Sequence, residues 1–526
     1  MTRLRNQVLT LAACALALVG CRAAPQPEGG PIWCRLPHVA AAPVGVGGGD
    51  SVADSAATHD RGLQSASEKP PTADRALQLC EYRDDGQATA AAPLPLADGL
   101  AGPHTVDQYV RYARDNNPDI QAARQRVAAA CYRIAQVRSL PDPTLGVTLY
   151  PEEVQTAAGA QELTLSLSQK FPWLGKLAAQ ADMARCTTSI AQAQLTATEL
   201  SVVEEVKRAY YELYFVRQAI RISETDRGLL VDLAKSADSR YRTGAVSQQD
   251  VLRAQLEVAN LDTELVRLRQ QLASAQARLA RQLHVSPDMP LATVDSLSAE
   301  QIPGDLDALY AQAVAARPEL RAQLTTVCRE RRAVDLAQMN YVPDATVNFS
   351  WIDTSTTGIS PVANGRDPYL AGVMVNLPIY RQRLAAAVRE AQANVRAESR
   401  RYDSLKDQTL QQVKDLFVQA QTQAELLRLF RDDILPKADQ TLRVSSQAYT
   451  SGQIGFLQLI DNWRDLLRFQ LTYQRMEVQL RQTLATLERT VGGYEALQSA
   501  TAATVPESAG PLPELAPPSP AGTGIN

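Results

Sequence analysis

The chain repeats itself once. Asn117-Pro118-Asp119-Ile120 is answered by Arg317-Pro318-Glu319-Leu320, and Pro141-Asp142 by Pro343-Asp344. Phe171-Pro172 is answered by Leu377-Pro378, and Tyr241-Arg242-Thr243-Gly244 by Tyr449-Thr450-Ser451-Gly452. The offsets, taken in order, are 200, 202, 206 and 208 residues. Four landmarks in one order with a slowly growing offset mean duplication with small insertions. A duplicated chain must fold as two like halves.

Each half follows the same plan. A helix of about 30 residues (105–139 and 306–340) leads into two alternating segments, then a very long helix, then another helix after a Tyr-x-x-Gly break. In the first half Leu145, Val147 and Leu149 alternate with Thr144, Gly146 and Thr148, and Leu163, Leu165 and Leu167 with Thr164, Ser166 and Ser168. In the second, Ala345, Val347, Phe349 and Trp351 alternate with Thr346, Asn348 and Ser350, and Ala371, Val373 and Val375 share one face of Tyr369–Leu377. Strict period two predicts strands with one apolar face. Their polar faces are small and uncharged, and their length approaches the 9–11 residues of a membrane-crossing strand, apolar toward lipid and polar toward a lumen. Pro151–Ala160 and Asp353–Pro368 are polar, contain Gly and read as exposed loops.

The helices carry a second period. Val202, Val206, Ala209, Leu213, Val216 and Ile220 step by fours and threes, as do Leu261, Leu265, Leu268, Leu272, Ala275 and Leu279. The latter set falls, 208 residues later, on Phe469, Tyr473, Met476, Leu480, Thr483 and Leu487. This is the spacing of a coiled-coil seam. A helix from Lys176 to Arg240 extends about 100 Å at 1.5 Å per residue, so it must pack against neighbouring rods. Abundant Ala, Leu, Gln, Arg and Glu in stretches without Pro or Gly fits that reading.

A spanning strand needs paired edges, because unpaired backbone groups in lipid cost several kcal/mol each. Four strands cannot close, since the smallest such barrels have eight. Copies of the chain must therefore combine. Side chains largely fill an eight-stranded lumen, so an open pore favours three copies or more over two.

Arg3 and Arg5 precede a short apolar stretch, Val8 to Val19, that reads as a secretory signal. It ends Leu18-Val19-Gly20-Cys21, which resembles the bacterial lipobox and implies cleavage before a multiply acylated Cys21, a stable lipid anchor. Arg22, in place of an inner-membrane retention Asp, favours outer-membrane delivery. Five further cysteines remain beyond Cys14 and Cys21, so at least one thiol is unpaired within the chain. Cys34 and Cys80 can pair in an oxidising compartment, while Cys131, Cys186 and Cys328 read as small apolar helix residues.

Composition excludes several classes. A net charge of −4 with 21% charged residues offers no basic surface for nucleic acid. Mean hydropathy is −0.21, and past the N-terminus no apolar run reaches the ~18 residues of a spanning helix. The four histidines, His38, His59, His104 and His284, have no metal-ligand spacing, and Gly47-Gly48-Gly49-Asp50 has no strand before it or helix after it to make a phosphate loop. No catalytic residue, metal site or cofactor is expected.

The chain resembles the TolC-like outer-membrane efflux family, in its lipoprotein branch, over about residues 105–493. The resemblance rests on Ser168-Gln169-Lys170-Phe171-Pro172-Trp173-Leu174-Gly175-Lys176, on Tyr241-Arg242-Thr243-Gly244 with Asp250, on Asn376-Leu377-Pro378-Ile379-Tyr380, and on Tyr449-x-x-Gly452 through Phe456-Leu457-Gln458-Leu459-Ile460-Asp461. It implies an α+β membrane protein: a homotrimer with a 12-stranded transmembrane β-barrel, four strands per chain, on a long coiled-coil α-helical barrel. It implies a passive exit duct joined through a periplasmic adaptor protein to an inner-membrane efflux pump. A polypeptide-secretion duct and a non-conducting structural coiled-coil lipoprotein are the alternatives.

On this reading residues 1–20 are signal peptide, 21–104 a lipidated N-terminus and disordered tether, 105–300 and 301–493 the two repeats, and 494–526 a flexible tail. Gly244, Ala245, Val246 and Ser247, with Gly452, Gln453 and Ile454, become adaptor-contacting tips. Asp250, Asp461 and Tyr449 fall at the pore constriction, where three copies of a carboxylate form an acidic ring. Gln458 and Ile454 depart from the family pattern, which puts an ion-pair gate of the usual kind in doubt.

Overall fold

The computed structural model describes residues 102–297, 303–356, 358–362 and 364–493. Cys21, the Cys34–Cys80 pairing, the signal peptide and the C-terminal tail lie outside the described residues, as does nearly all of the tether.

Each expected leading helix is two. Helix α1 (Val106–Asn116) gives way to α2 (Pro118–Arg138) at Asn117, and in the second half α5 (Leu306–Ala316) gives way to α6 (Pro318–Met339) at Arg317. The cause is the proline, whose ring drives the preceding residue out of the helical region. Asn117 sits at φ −69°, ψ 126° and Arg317 at φ −60°, ψ 119°. Each proline then opens the next helix, where its missing N–H costs nothing. Asn117 adds a cap by accepting from Asp119 N at 2.9 Å, and its amide donates to Gln282 O at 2.9 Å.

The alternating segments are strands. β2 (Thr144–Thr156), β3 (Gly159–Phe171), β5 (Ala345–Thr354) and β6 (Tyr369–Val375) form one antiparallel sheet in the order β2-β3-β5-β6. The expected loop over Pro151–Ala160 shrinks to a turn at Ala157 and Ala158. Pro151 survives inside a strand because β2 is an edge and pairing with β3 is interrupted between Leu149 and Val154, where no partner needs its N–H. β6 ends two residues before Leu377. The β5–β6 connection is irregular, as expected. A small parallel pair, β1 (Gly102–His104) with β4 (Leu291–Thr293), lies apart from this sheet.

The apolar face of the sheet is open. Leu145, Val147 and Leu149 are 71%, 59% and 69% exposed and Val373 is 68% exposed. Among the described residues no helix is long and apolar enough to cross a membrane.

Helix α3 (Lys176–Arg242) runs 67 residues, about 100 Å, and α4 (Gln248–Leu283) returns along it. Their seam residues Val202, Val206, Leu213, Val216, Leu261, Leu265, Leu268, Ala275 and Leu279 are buried. The second half differs: α7 (Arg381–Leu429) reaches a π-turn at Phe430–Ile434 before α8 (Leu435–Thr450), and α9 (Phe456–Val491) returns. Pro436 explains the interruption, since it lacks an N–H and crowds the carbonyl one turn back, widening the helix there.

Candidate functional site: helical tips and the sheet–helix elbow

The two tips are built alike. At the end of α3, Gly244 N–H donates to Tyr241 O (2.9 Å) and Ala245 N–H to Arg240 O (2.9 Å). At the end of α8, Gly452 N–H donates to Tyr449 O (3.1 Å) and Gln453 N–H to Ala448 O (2.8 Å). Both are Schellman closures, which require a left-handed residue after the helix. Gly244 and Gly452 supply it at φ 74° and 78°. Ser247 then caps α4 by accepting from Gln249 N at 3.0 Å. Gly244, Ala245, Ser247, Gly452 and Gln453 are exposed, whereas Val246 and Ile454 lean onto the core of the tip.

That core holds Tyr449, only 1% exposed, with its ring 5.5 Å from Phe456 and the Arg240 guanidinium 4.7 Å above it. The stacked Arg240 ties the end of α3 to the end of α8. Burial pushes the Tyr449 phenol up, Asp250 adds to the rise, and Arg240 opposes it. Tyr449 therefore faces into its own protomer, its hydroxyl without a hydrogen-bond partner among the described residues. Asp250 is half-buried in the first turn of α4, and Asp461 is exposed, one turn further into its own helix α9. Asp461 is not bare, because it pairs with Arg464 at 3.1 Å, and Arg464 also grips the buried Glu257 of α4. Sequence periodicity could not find Arg240 or Glu257, since both act across 207–209 residues of intervening chain.

Above the tips, α3 buries Asp226 with Oδ2 lacking any partner among the described residues. Burial pushes this carboxyl up to about 6. A raised value means the folded state holds the proton more tightly, so stability is greatest below the unfolded value and falls as pH rises through about 6. Asp226→Asn should therefore stabilise the protein by about 2 kcal/mol at pH 7.5 and by almost nothing at pH 4. Thermal melts at the two pH values check this, and an equal shift at both would exclude ionisation as the cause.

The elbow between sheet and helices is a second site. Asp344, just before β5, accepts from Trp173 N (2.9 Å) and from Lys176 Nζ (2.7 Å), with Lys170 Nζ at 3.5 Å. Lys176 is buried at the start of α3 and also donates to Val342 O at 3.0 Å. Burial alone would raise the Asp344 carboxyl, but the Lys176 ammonium and the Trp173 N–H together bring it below the usual carboxylate value. A cleft of about 600 Å³ lined by Asp142, Lys170, Lys176 and Asp344 opens beside this pair. The lock joins the two repeats where the chain passes from sheet to rod.

Among the described residues no group of three or more His, Cys, Asp and Glu side chains is placed to hold a metal ion. The geometry is that of a wall and its joints. A family model described as outer membrane efflux protein matches residues 110–283 and 309–493. The chain belongs to the outer membrane efflux protein family. It is an outer-membrane channel of an efflux system. It is 23% identical over 403 residues to the cobalt-zinc-cadmium resistance protein CzcC of Cupriavidus metallidurans, covering 74% of this chain and 91% of that one. The channel's fold matches the outer-membrane channel OprN with a TM-score of 0.64 at 18% identity, over 78% of this chain and 99% of OprN. It matches the outer membrane protein VceC of Vibrio cholerae at 0.62 and 19%, over 74% and 96%. The expected TolC-like architecture is thus the observed one.

Proposed function

We propose that three copies of the channel close their four-stranded sheets into one 12-stranded barrel and line up their helices as a periplasmic tunnel. The reading rests on one observation above all: the sheet is open at β2 and β6 while its apolar face is bare. Lipid covers the bare face, but open edges do not survive in lipid unless other copies pair them. Acylated Cys21 anchors each chain. The duct is passive and performs no catalysis; an inner-membrane pump drives small molecules into it through a periplasmic adaptor. The adaptor docks on the exposed Gly244, Ala245, Ser247, Gly452 and Gln453, with Val246 and Ile454 as the apolar part of the contact.

Asp250 and Asp461 narrow the pore as two acidic rings. Their helices begin at equivalent points, and Asp461 lies three residues deeper, so the rings sit about 4–5 Å apart along the axis. Purified protein should run as a trimer and conduct ions in planar bilayers; a non-conducting filament would exclude a duct. Asp461→Ala and Asp250→Asn should each raise conductance and weaken block by divalent cations about threefold or more, an effect of ~0.7 kcal/mol. Unchanged conductance and block in both variants would remove the acidic rings from the constriction.

A further inference from the structure

Two cysteines read from the sequence as helix filler prove to face each other. Cys186 of α3 and Cys328 of α6 lie 142 residues apart in the chain, with Sγ 3.8 Å from Sγ, and both are half-buried. The approach is no accident of long side chains. Gly175, which precedes α3, lies beside Met339 at the end of α6, and Lys176 reaches Val342. Moving eleven residues up α3 and eleven back along α6 leads from Gly175 and Met339 to Cys186 and Cys328. The helices are therefore antiparallel neighbours with the two cysteines at one level.

We propose that Cys186 and Cys328 form a disulfide in the exported channel. A bond length near 2.05 Å requires the sulfurs to approach by about 1.8 Å, a movement that small χ1 rotations of two unbranched side chains supply. The chemistry needs an oxidant, which is a disulfide-bearing thiol oxidase or small-molecule disulfide of the oxidising envelope. One cysteine thiolate attacks the donor disulfide, forming a mixed disulfide and releasing one donor thiol. The second thiolate displaces the remaining donor sulfur. The protein loses two protons and two electrons, and the donor leaves as two thiols. Half-burial leaves the first sulfur open to attack while the helix contact holds the second in line.

The bridge staples the through-helix of the first repeat to the rising helix of the second, about 15 Å from the sheet at 1.5 Å per residue. It fixes the same helix register that the Lys176–Asp344 pair holds at the elbow. The proposal rests on the envelope location given above. The test is to harvest cells into a thiol-alkylating agent, purify the full-length channel, and digest it without reductant. The expected product is one peptide pair joining Cys186 to Cys328, lighter by two hydrogens than the separate thiol peptides and released by dithiothreitol. Reductant should also lower the melting temperature of the wild type to that of Cys186→Ser, on which it has no effect. Recovery of Cys186 and Cys328 as alkylated thiols, or either one linked to Cys131, overturns the bridge. A channel that conducts in bilayers yet lacks the linked peptide loses the bridge and keeps the duct, and a linked protein that never conducts does the reverse.

Discussion

Cysteines introduced together at Val147 and Val373 will join copies of the channel into covalent trimers on oxidation, whereas Val373 combined with Leu149 will not. The register follows from the duplication. Within one chain β3, which ends the sheet of the first repeat, pairs with β5, which begins that of the second: Gln169 opposes Val347, Leu167 opposes Phe349 and Leu165 opposes Trp351. The seam from β6 of one copy to β2 of the next joins the end of one repeat to the start of another, so it is the same junction made between chains. Phe171 corresponds to Leu377 and Pro343 to Pro141, which carries β3 onto β6 and β5 onto β2. The seam pairs become Val375 with Leu145, Val373 with Val147, and Ala371 with Leu149. Every one sets an apolar residue against an apolar residue, although the register was derived from offsets alone. A slip of one residue would turn the lipid face of one strand onto the lumen face of the next. Directly opposed residues have Cα atoms about 4.5–5.5 Å apart, within disulfide range, while diagonal neighbours lie at about 7–8 Å. β2 and β6 occupy opposite edges of their own sheet, so a link between them is a link between copies. Each single variant serves as the control for adventitious linkage through Cys131, Cys186 or Cys328. Covalent ladders from the Val373–Leu149 pair, with none from Val373–Val147, would refute the register and keep the trimer. No ladder from either pair, with no oligomer by native mass measurement, would refute both.

Much of this fold was legible because its periods are local. Period two at Leu145-Gly146-Val147 and spacing by threes and fours at Leu261-Leu265-Leu268 are written in neighbouring residues and are enforced by burial or by lipid. The breaks at Asn117 and Arg317 are also written in the sequence, since Pro118 and Pro318 each drive the preceding residue out of the helical region. Pro151 misled in the opposite direction. A proline reads as the end of a strand, and only the edge position of β2 and its interrupted pairing make it harmless. The tip glycines were legible because a positive φ leaves a glycine in the sequence. The orientation of Tyr449 has no local signature: whether a tyrosine turns to the lumen or into the tip depends on Arg240 and Phe456 around it. The Lys176–Asp344 and Cys186–Cys328 contacts span 168 and 142 residues and have no local signature at all.

Asp344→Ala should be the most damaging single change at the elbow, costing about 3 kcal/mol at neutral pH, because it strands a buried cation. Lys176 has 8% of its side chain exposed, and with Asp344 gone only the Val342 carbonyl remains to receive its three donors. Asp344→Asn keeps an acceptor for Trp173 N–H and should cost about half as much. Lys176→Met should cost less again: it fills the same volume without charge, and Asp344 retains Trp173 N–H and the Lys170 ammonium at 3.5 Å. The pH dependence has a definite sign. The Asp344 carboxyl titrates below its ordinary value when folded, so its contribution is complete above the unfolded value of about 3.9 and disappears as pH falls below it. The penalty of Asp344→Ala should therefore shrink only below about pH 4. The decisive measurement is the double variant, since adding Lys176→Met to Asp344→Ala removes the stranded charge and should restore about 1–2 kcal/mol in thermal melts of the purified channel. A double variant no more stable than Asp344→Ala would mean that the elbow is held by the packing of Trp173 and Met339, and that the ion pair rides on a joint already fixed. Restoration would mean that the charge pair itself sets the angle at which the rod leaves the sheet. Every copy carries one such joint, so a loosened elbow should also reduce the yield of assembled trimer.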